Sequence, residues 1–173
     1  QRKIDDLHAG RNYLKHLGDE YVTSLLETNR FDATTDFERL SEADAILVCV
    51  PTPLGPHLEP DLSYVEDTTD AIAKHGRAGQ LIVLESTTYP RTTRDIMLPR
   101  LEAAGLKCGQ DFFLAYSPER EDPGRKDENT RTIPKLVGGI DEASGQLAVA
   151  MYHQALDQVI PVSTAEVAEA AKL

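Results

Sequence analysis

Three strings of hydroxyls, prolines and carboxylates stand out in the chain: Pro51-Thr52-Pro53, Ser86-Thr87-Thr88 and Ser117-Pro118-Glu119-Arg120-Glu121-Asp122-Pro123-Gly124. The hydroxyls can bond a polar ligand, and Thr52 adds a backbone N–H in a segment that its flanking prolines hold extended. A carboxylate such as Glu119, on a loop stiffened by two prolines, can act as a general base or orient a water, and Arg120 beside it can hold an anion. Each string also has an ordinary reading. Prolines punctuate strand ends, Ser86 to Thr88 suit a helix cap, and clustered charges make a solvated turn. Their shared placement is what raises the chemical reading. Each follows a short aliphatic run (45–50, 81–84 and 112–115) of the kind that forms strands covered on both faces, and open α/β sheets bind ligands outside the carboxyl ends of such strands.

The remaining chemistry-bearing residues point elsewhere. His8, His16, His75 and His153 fall on or beside helices without partners at metal-ligand spacing, and His57, in a proline-rich loop, is the histidine best placed to meet a ligand. Cys49 lies inside the most apolar run and reads as a small core residue, while nothing near Cys108 would lower its pKa. Two cysteines make no disulfide framework, and no CxxC or Cys/His cluster suggests zinc, so a reducing, cytoplasmic setting and no metal are expected.

The elements that must position these strings follow a β-then-α rhythm. Helical spacing covers 1–9, closed by Gly10, and 19–28, which carries Tyr21, Val22, Leu25 and Leu26. A short strand is expected over 31–35 and a brief helix over 36–43, before the strand at 45–50 and a loop that Pro51, Pro53, Gly55, Pro56 and Pro60 keep irregular. Asp61 can cap a helix that aligns Leu62, Val65, Thr69 and Ile72 and ends at Gly76. Strand 81–84, helix 92–104, strand 112–115 and a polar loop over 116–132 come next. Leu136-Val137 precedes Gly138-Gly139, Asp141 opens a helix, 159–162 forms a last strand, and Thr164 caps an Ala-rich helix over 165–173. This alternation predicts an α/β fold with a doubly wound parallel sheet.

The chain has 173 residues, 40% hydrophobic, and a formal charge of −11, without a basic cluster or an apolar stretch of spanning length. That balance argues against nucleic acid and membrane partners, and a phosphate-bearing ligand would need local backbone N–H groups to offset the overall field. The start at Gln1, with no initiator Met, reads as an excerpt.

Five segments in order, Cys49-Val50-Pro51-Thr52-Pro53-Leu54, Glu85-Ser86-Thr87-Thr88-Tyr89-Pro90, Tyr116-Ser117-Pro118-Glu119-Arg120-Glu121-Asp122-Pro123-Gly124, Ile133-Pro134-Lys135-Leu136-Val137-Gly138-Gly139 and Ala168-Glu169-Ala170-Ala171-Lys172-Leu173, resemble the UDP-glucose/GDP-mannose dehydrogenase family, and most of all its UDP-N-acetylglucosamine 6-dehydrogenase branch. The resemblance implies NAD as cofactor. It implies oxidation of a UDP-sugar 6-hydroxyl to a carboxylate by two hydride transfers, through a thiohemiacetal and a thioester on a cysteine, in polysaccharide biosynthesis. It places Val50, Pro51, Thr52, Ser86 and Thr87 at the cofactor, with Thr87 also positioning the catalytic water. Glu119 becomes the acid/base group beside the substrate, Arg120 a substrate contact, and Lys172 the cation that steadies the oxyanion.

The same resemblance implies a Rossmann-like sheet lacking its first βαβ unit over 1–162, and the start of a long interdomain helix, used for homodimer or higher assembly, over 163–173. The GxGxxG turn and its acidic partner are then expected before Gln1, and the nucleophilic Cys, the Asn one turn past Lys172 and the UDP-binding domain after Leu173. The 173 residues alone are expected to be inert. Arg91 stands where relatives usually carry Gly, and Pro123 where some carry a second, NAD-contacting Glu. The alternatives are a 6-phosphogluconate or 3-hydroxyacid dehydrogenase, which needs no cysteine, and a non-enzymatic flavodoxin-like module such as a receiver, which would want an Asp at a central strand end.

Overall fold

Short aliphatic runs become strands here because helices cover them, on both faces over 80–84 and on one over 45–48, where Ala45 and Leu47 are exposed against the expected double cover. The computed structural model describes residues 2–14, 18–55, 59–119 and 133–171. The five strands are β1 (Ala45–Val48), β2 (Gln80–Leu84), β3 (Phe112–Tyr116), β4 (Lys135–Gly139) and β5 (Val159–Pro161), lying side by side in that order. The strands β1, β2 and β3 are parallel, with Val48 level with Leu84 and Leu84 level with Tyr116.

The sheet is Rossmann-like but mixed, which corrects the expectation of a wholly parallel one. β4 runs antiparallel to β3, pairing Tyr116 with Gly138 and Ala115 with Gly139, and β5 is parallel to β4. A parallel neighbour requires a crossover that carries the chain back to the other end of the sheet, usually a helix. β3 and β4 instead enter and leave the 117–134 connection at the same edge.

One face of the sheet gathers Ile46, Val48, Ile82, Leu84, Leu114 and Tyr116 against α3 (Ser63–His75), α4 (Leu98–Glu102) and α6 (Ala165–Ala170). The other packs Leu81, Val83, Ala115 and Val137 against Ala148 and Tyr152 of α5 (Glu142–Tyr152). Period-two alternation therefore divides one strand between two cores, each fully buried Val or Leu contributing about 1.5–3 kcal/mol.

Two of the three predicted caps form, Asp141 on α5 and Thr164 on α6, whereas the N-cap of α3 is Leu62 and Asp61, one residue earlier, bonds the first helical amide from outside the cap position. Asp61 accepts from Ser63 N at 3.0 Å, Asp141 from Ser144 N at 2.9 Å, and Thr164 from Val167 N at 3.3 Å. The helix expected over 92–104 is shorter and opens with a π-turn, Thr93–Met97, in which Leu98 N donates to Thr93 O. Pro99 explains the wide turn, since it has no N–H to give the Asp95 carbonyl and its ring would crowd that oxygen.

The chain divides into two units, Gln1–Phe37 and Glu38–Leu173. In the first, α1 (Arg2–His8) and α2 (Asp19–Glu27) match the two helices expected there, with Gly10 at φ +72° ending the first. Residues 31–35 form no strand, and a 3-10 helix over Phe37–Glu42 leads into β1. Among the described residues no helix is long and apolar enough to cross a membrane.

Candidate functional site

Register builds the site. Because β1, β2 and β3 are parallel and end level at Val48, Leu84 and Tyr116, the three polar strings leave the sheet from one edge. Hydrogen bonds then tie the departing loops together. Ser86 Oγ donates to Val48 O at 3.2 Å and accepts from Val50 N at 2.8 Å, so its hydroxyl braces the first two loops. Ser117 N donates to Leu84 O at 3.0 Å, its Oγ donates to Leu136 O at 2.7 Å, and the Tyr116 hydroxyl donates to Ser86 O at 3.3 Å.

On this braced rim Thr87 is exposed, Thr52 and Val50 are half-buried, and Pro51 is exposed. The Glu119 side chain stands 45% exposed at the same edge. Of the residues the resemblance implicates, the structure thus brings Thr52, Ser86, Thr87 and Glu119 to one side of the sheet. Arg120 and Lys172, with His57, lie outside the described residues.

Beneath Glu119 sits a group that sequence reasoning missed. Lys135, at the first position of β4, is buried, and its Nζ lies 3.1 Å from Glu85 Oε1 and 3.5 Å from Glu119 Oε2. The Tyr152 hydroxyl donates to Glu85 Oε1, and Cys49 Sγ donates to Glu85 Oε2 at 3.6 Å. Cys49, expected in the core, is exposed just past the end of β1; partial desolvation, with the Glu85 carboxylate next, pushes its thiol up to about 11, and burial with the same carboxylate raises the Tyr152 phenol. Both groups are therefore neutral donors. Beside them opens a cavity of about 290 Å³, walled largely by Leu47, Met151, Tyr152 and Leu156.

A second clamp holds the Thr87 loop from the other face. Glu169 of α6 is fully buried, and its carboxylate accepts from Arg91 N at 2.5 Å, Thr93 N at 2.9 Å and Thr93 Oγ1 at 2.7 Å. A carboxylate at a helix start satisfies donors that have no partner within the helix. Thr88 bonds Thr92 through their hydroxyls, and Thr92 Oγ1 donates to Tyr89 O at 2.8 Å. Arg91 has φ +79°, the left-handed conformation in which glycine is at ease, so the turn keeps a geometry suited to Gly with a side chain in its place.

Cys108 is no better a nucleophile than Cys49. Burial chiefly pushes its thiol up to about 11, and it donates to Asp141 Oδ2 at 3.6 Å. Among the described residues no cluster of three His, Cys, Asp or Glu could hold a metal. For a nicotinamide nucleotide the fit is better. An exposed hydroxyl at Thr87, a second at Thr52 and the half-buried Val50 present hydrogen-bonding and apolar surface along one edge, outside the carboxyl ends of parallel strands.

Fold and rim together define a Rossmann-type nucleotide-binding domain. Residues 1–156 match the UDP-glucose/GDP-mannose dehydrogenase family, NAD binding domain, and the chain belongs to that family. NAD is accordingly the cofactor of the domain. The chain is 33% identical over 154 residues to UDP-N-acetyl-D-glucosamine 6-dehydrogenase of Pseudomonas aeruginosa, covering 88% of this chain and 36% of that protein. It is 36% identical over 156 residues to Protein CapL of Staphylococcus aureus, covering 89% and 37%. Among solved structures, the NDP-N-acetyl-D-galactosaminuronic acid dehydrogenase from Methanosarcina mazei Go1 superposes with a TM-score of 0.91 at 40% identity, over 99% of this chain and 38% of that one. The chain thus spans little more than a third of the length of these relatives.

Proposed function

We propose that these residues form the cofactor side of an active site that oxidises the 6-hydroxyl of a UDP-sugar, UDP-N-acetylglucosamine or UDP-glucose, to the carboxylate. NAD, when bound, accepts one hydride in each of two successive oxidations, and one water enters as the acid forms. Val50, Pro51, Thr52, Ser86 and Thr87 line the cofactor, Ser86 chiefly by holding the first two loops in place, since its hydroxyl and its N–H are both bonded within the rim. Thr87 also orients the water. Glu119 takes the proton from the sugar hydroxyl and from that water, and Arg120 and Lys172 hold the substrate, Lys172 steadying the developing oxyanion.

A thiol that forms a thioester must ionise readily, and Cys49 and Cys108 do not. The nucleophile in this reading comes from a segment other than these 173 residues, which alone are then inert. Residues 163–173 begin a helix between domains that pairs two copies of the protein, and the two unpaired thiols suit the cytoplasm.

The observation that carries this reading is the common register of three parallel strand ends, which sets Thr52, Thr87 and Glu119 along one edge. The test is turnover by the complete enzyme with UDP-N-acetylglucosamine and with UDP-glucose, counting NADH against uronic acid. Two NADH per acid are expected, and Thr87→Ala and Glu119→Gln should each lower kcat about a hundredfold. One NADH per product would sink the two-step reading. Turnover by the 173 residues alone would sink the placement of the thiol.

A further inference from the structure

A buried lysine carries a desolvation cost that apolar packing avoids, so its retention calls for a reason other than stability. Lys135 is 8% exposed, and its ammonium lies against Glu85, against Glu119 and 5.2 Å from the centre of the Tyr152 ring. Glu85 is held on both oxygens, Oε1 by the Tyr152 hydroxyl and Oε2 by the Cys49 thiol. Since that thiol is held neutral, it contributes a proton to the network and no negative charge. The lower half of the network is therefore held by Cys49 and Glu85, each one residue past the end of β1 or β2, together with Tyr152 of α5. The Glu119 side chain stands 45% exposed, against 10% for that of Lys135 and 12% for that of Glu85, and Cys49 is the other exposed member of the network.

We propose that Lys135 is a positioning residue for Glu119, with Glu85 and Tyr152 as the base that aims its ammonium. This rests on the reading of Glu119 as the acid/base group. The ammonium reaches out from a rigid floor and holds one carboxylate oxygen of Glu119, which fixes the direction in which the remaining lone pairs face the rim. Proton transfer depends steeply on such alignment, so loss of the Lys135 contact leaves the carboxylate misdirected more of the time. The antiparallel course of β4 makes the contact possible. Pairing of Tyr116 with Gly138 sets the first residues of β4 beyond the end of β3, beside the loop that carries Glu119.

The experiment is a double-mutant cycle in the complete enzyme. Lys135→Met should lower kcat about tenfold or more while KM for NAD and for the sugar nucleotide stays within about twofold, and Lys135→Arg should restore most of the loss. In the Glu119→Gln background the same Lys135→Met change should add less than about a twofold loss, because its effect runs through Glu119. Equal losses in both backgrounds, or wild-type kcat in Lys135→Met, would overturn the positioning role alone. Glu119→Gln at wild-type kcat would overturn the reading of Glu119 and the positioning role with it. If Lys135→Met fails to fold, Tyr152→Phe carries the test, with about a threefold loss that disappears in the Glu119→Gln background.

Discussion

Arg91 shows how a single side chain can sit against its own backbone. Its φ of +79° lies where a Cβ is strained, and its amide is one of the donors that Glu169 holds, so the turn is imposed from outside. The side chain offsets this only through an exposed pair with Asp95, at 2.7 Å. Arg91→Gly should therefore raise the thermal midpoint, as followed by circular dichroism, and Arg91→Val should lower it, because branching at Cβ worsens the clash. The thiols carry a second residue-scale expectation. With both pushed up to about 11, the thiolate is scarce at neutral pH, and Cys49 and Cys108 should react with iodoacetamide about tenfold or more slowly than free cysteine. Rates that match free cysteine at pH 7.5 would revive them as candidate nucleophiles.

At the scale of elements, the close approach of β4 to two helices is what the Gly138-Gly139 pair provides. A Cβ on Gly138 would fall 2.1 Å from Thr164 O, and one on Gly139 2.2 Å from Gly145 N, both backbone atoms with no rotamer to yield. Gly138→Ala should cost about 1–3 kcal/mol in urea denaturation by forcing β4 and α6 apart. A change within about 0.3 kcal/mol would mean the strand shifts freely. The same two elements reach the site from opposite faces. Lys135, at the start of β4, touches Glu119, while Glu169 on α6 grips the turn after Thr87. Rim residues on loops are thus held by groups on strands and helices, the arrangement that gives an active site its precision.

For the whole molecule, a charge of −11 and a phosphate-bearing cofactor are in tension, which places the burden of binding on local donors along the rim. The acidic surface also sets a pH dependence. Glu166 bonds the Arg94 guanidinium, which holds its carboxyl down to about 2 from an ordinary 4.5. A depressed carboxyl stabilises the fold above the unfolded value and ceases to do so as pH falls through the folded one. Stability should therefore decline from about pH 4.5 towards 2, and Glu166→Gln should flatten that decline, being less stable than the parent at pH 7 and converging on it as pH falls through about 2. Urea denaturation across this range checks it, and an unchanged slope would exclude the pair as a contributor.

The aliphatic runs, the caps at Asp141 and Thr164, the layered α/β class and the three polar strings at strand ends can be read from the residues alone, because they depend on periodicity and on contacts a few residues long. Residues 31–35 have the composition of a strand and form none, since a short polar-apolar run carries no information about whether a partner strand lies beside it. The direction of β4, by contrast, is set by packing across the sheet. An all-parallel sheet would have set Lys135 at the far edge, away from Glu119, whereas the antiparallel pairing brings it to the rim. Cys49 and Glu85, each one residue past its strand, and Tyr152 of α5 join it there. Local chemistry can mark which residues are able to act, but the meeting of side chains from strands and helices 36 and 67 residues apart is a property of the packed sheet.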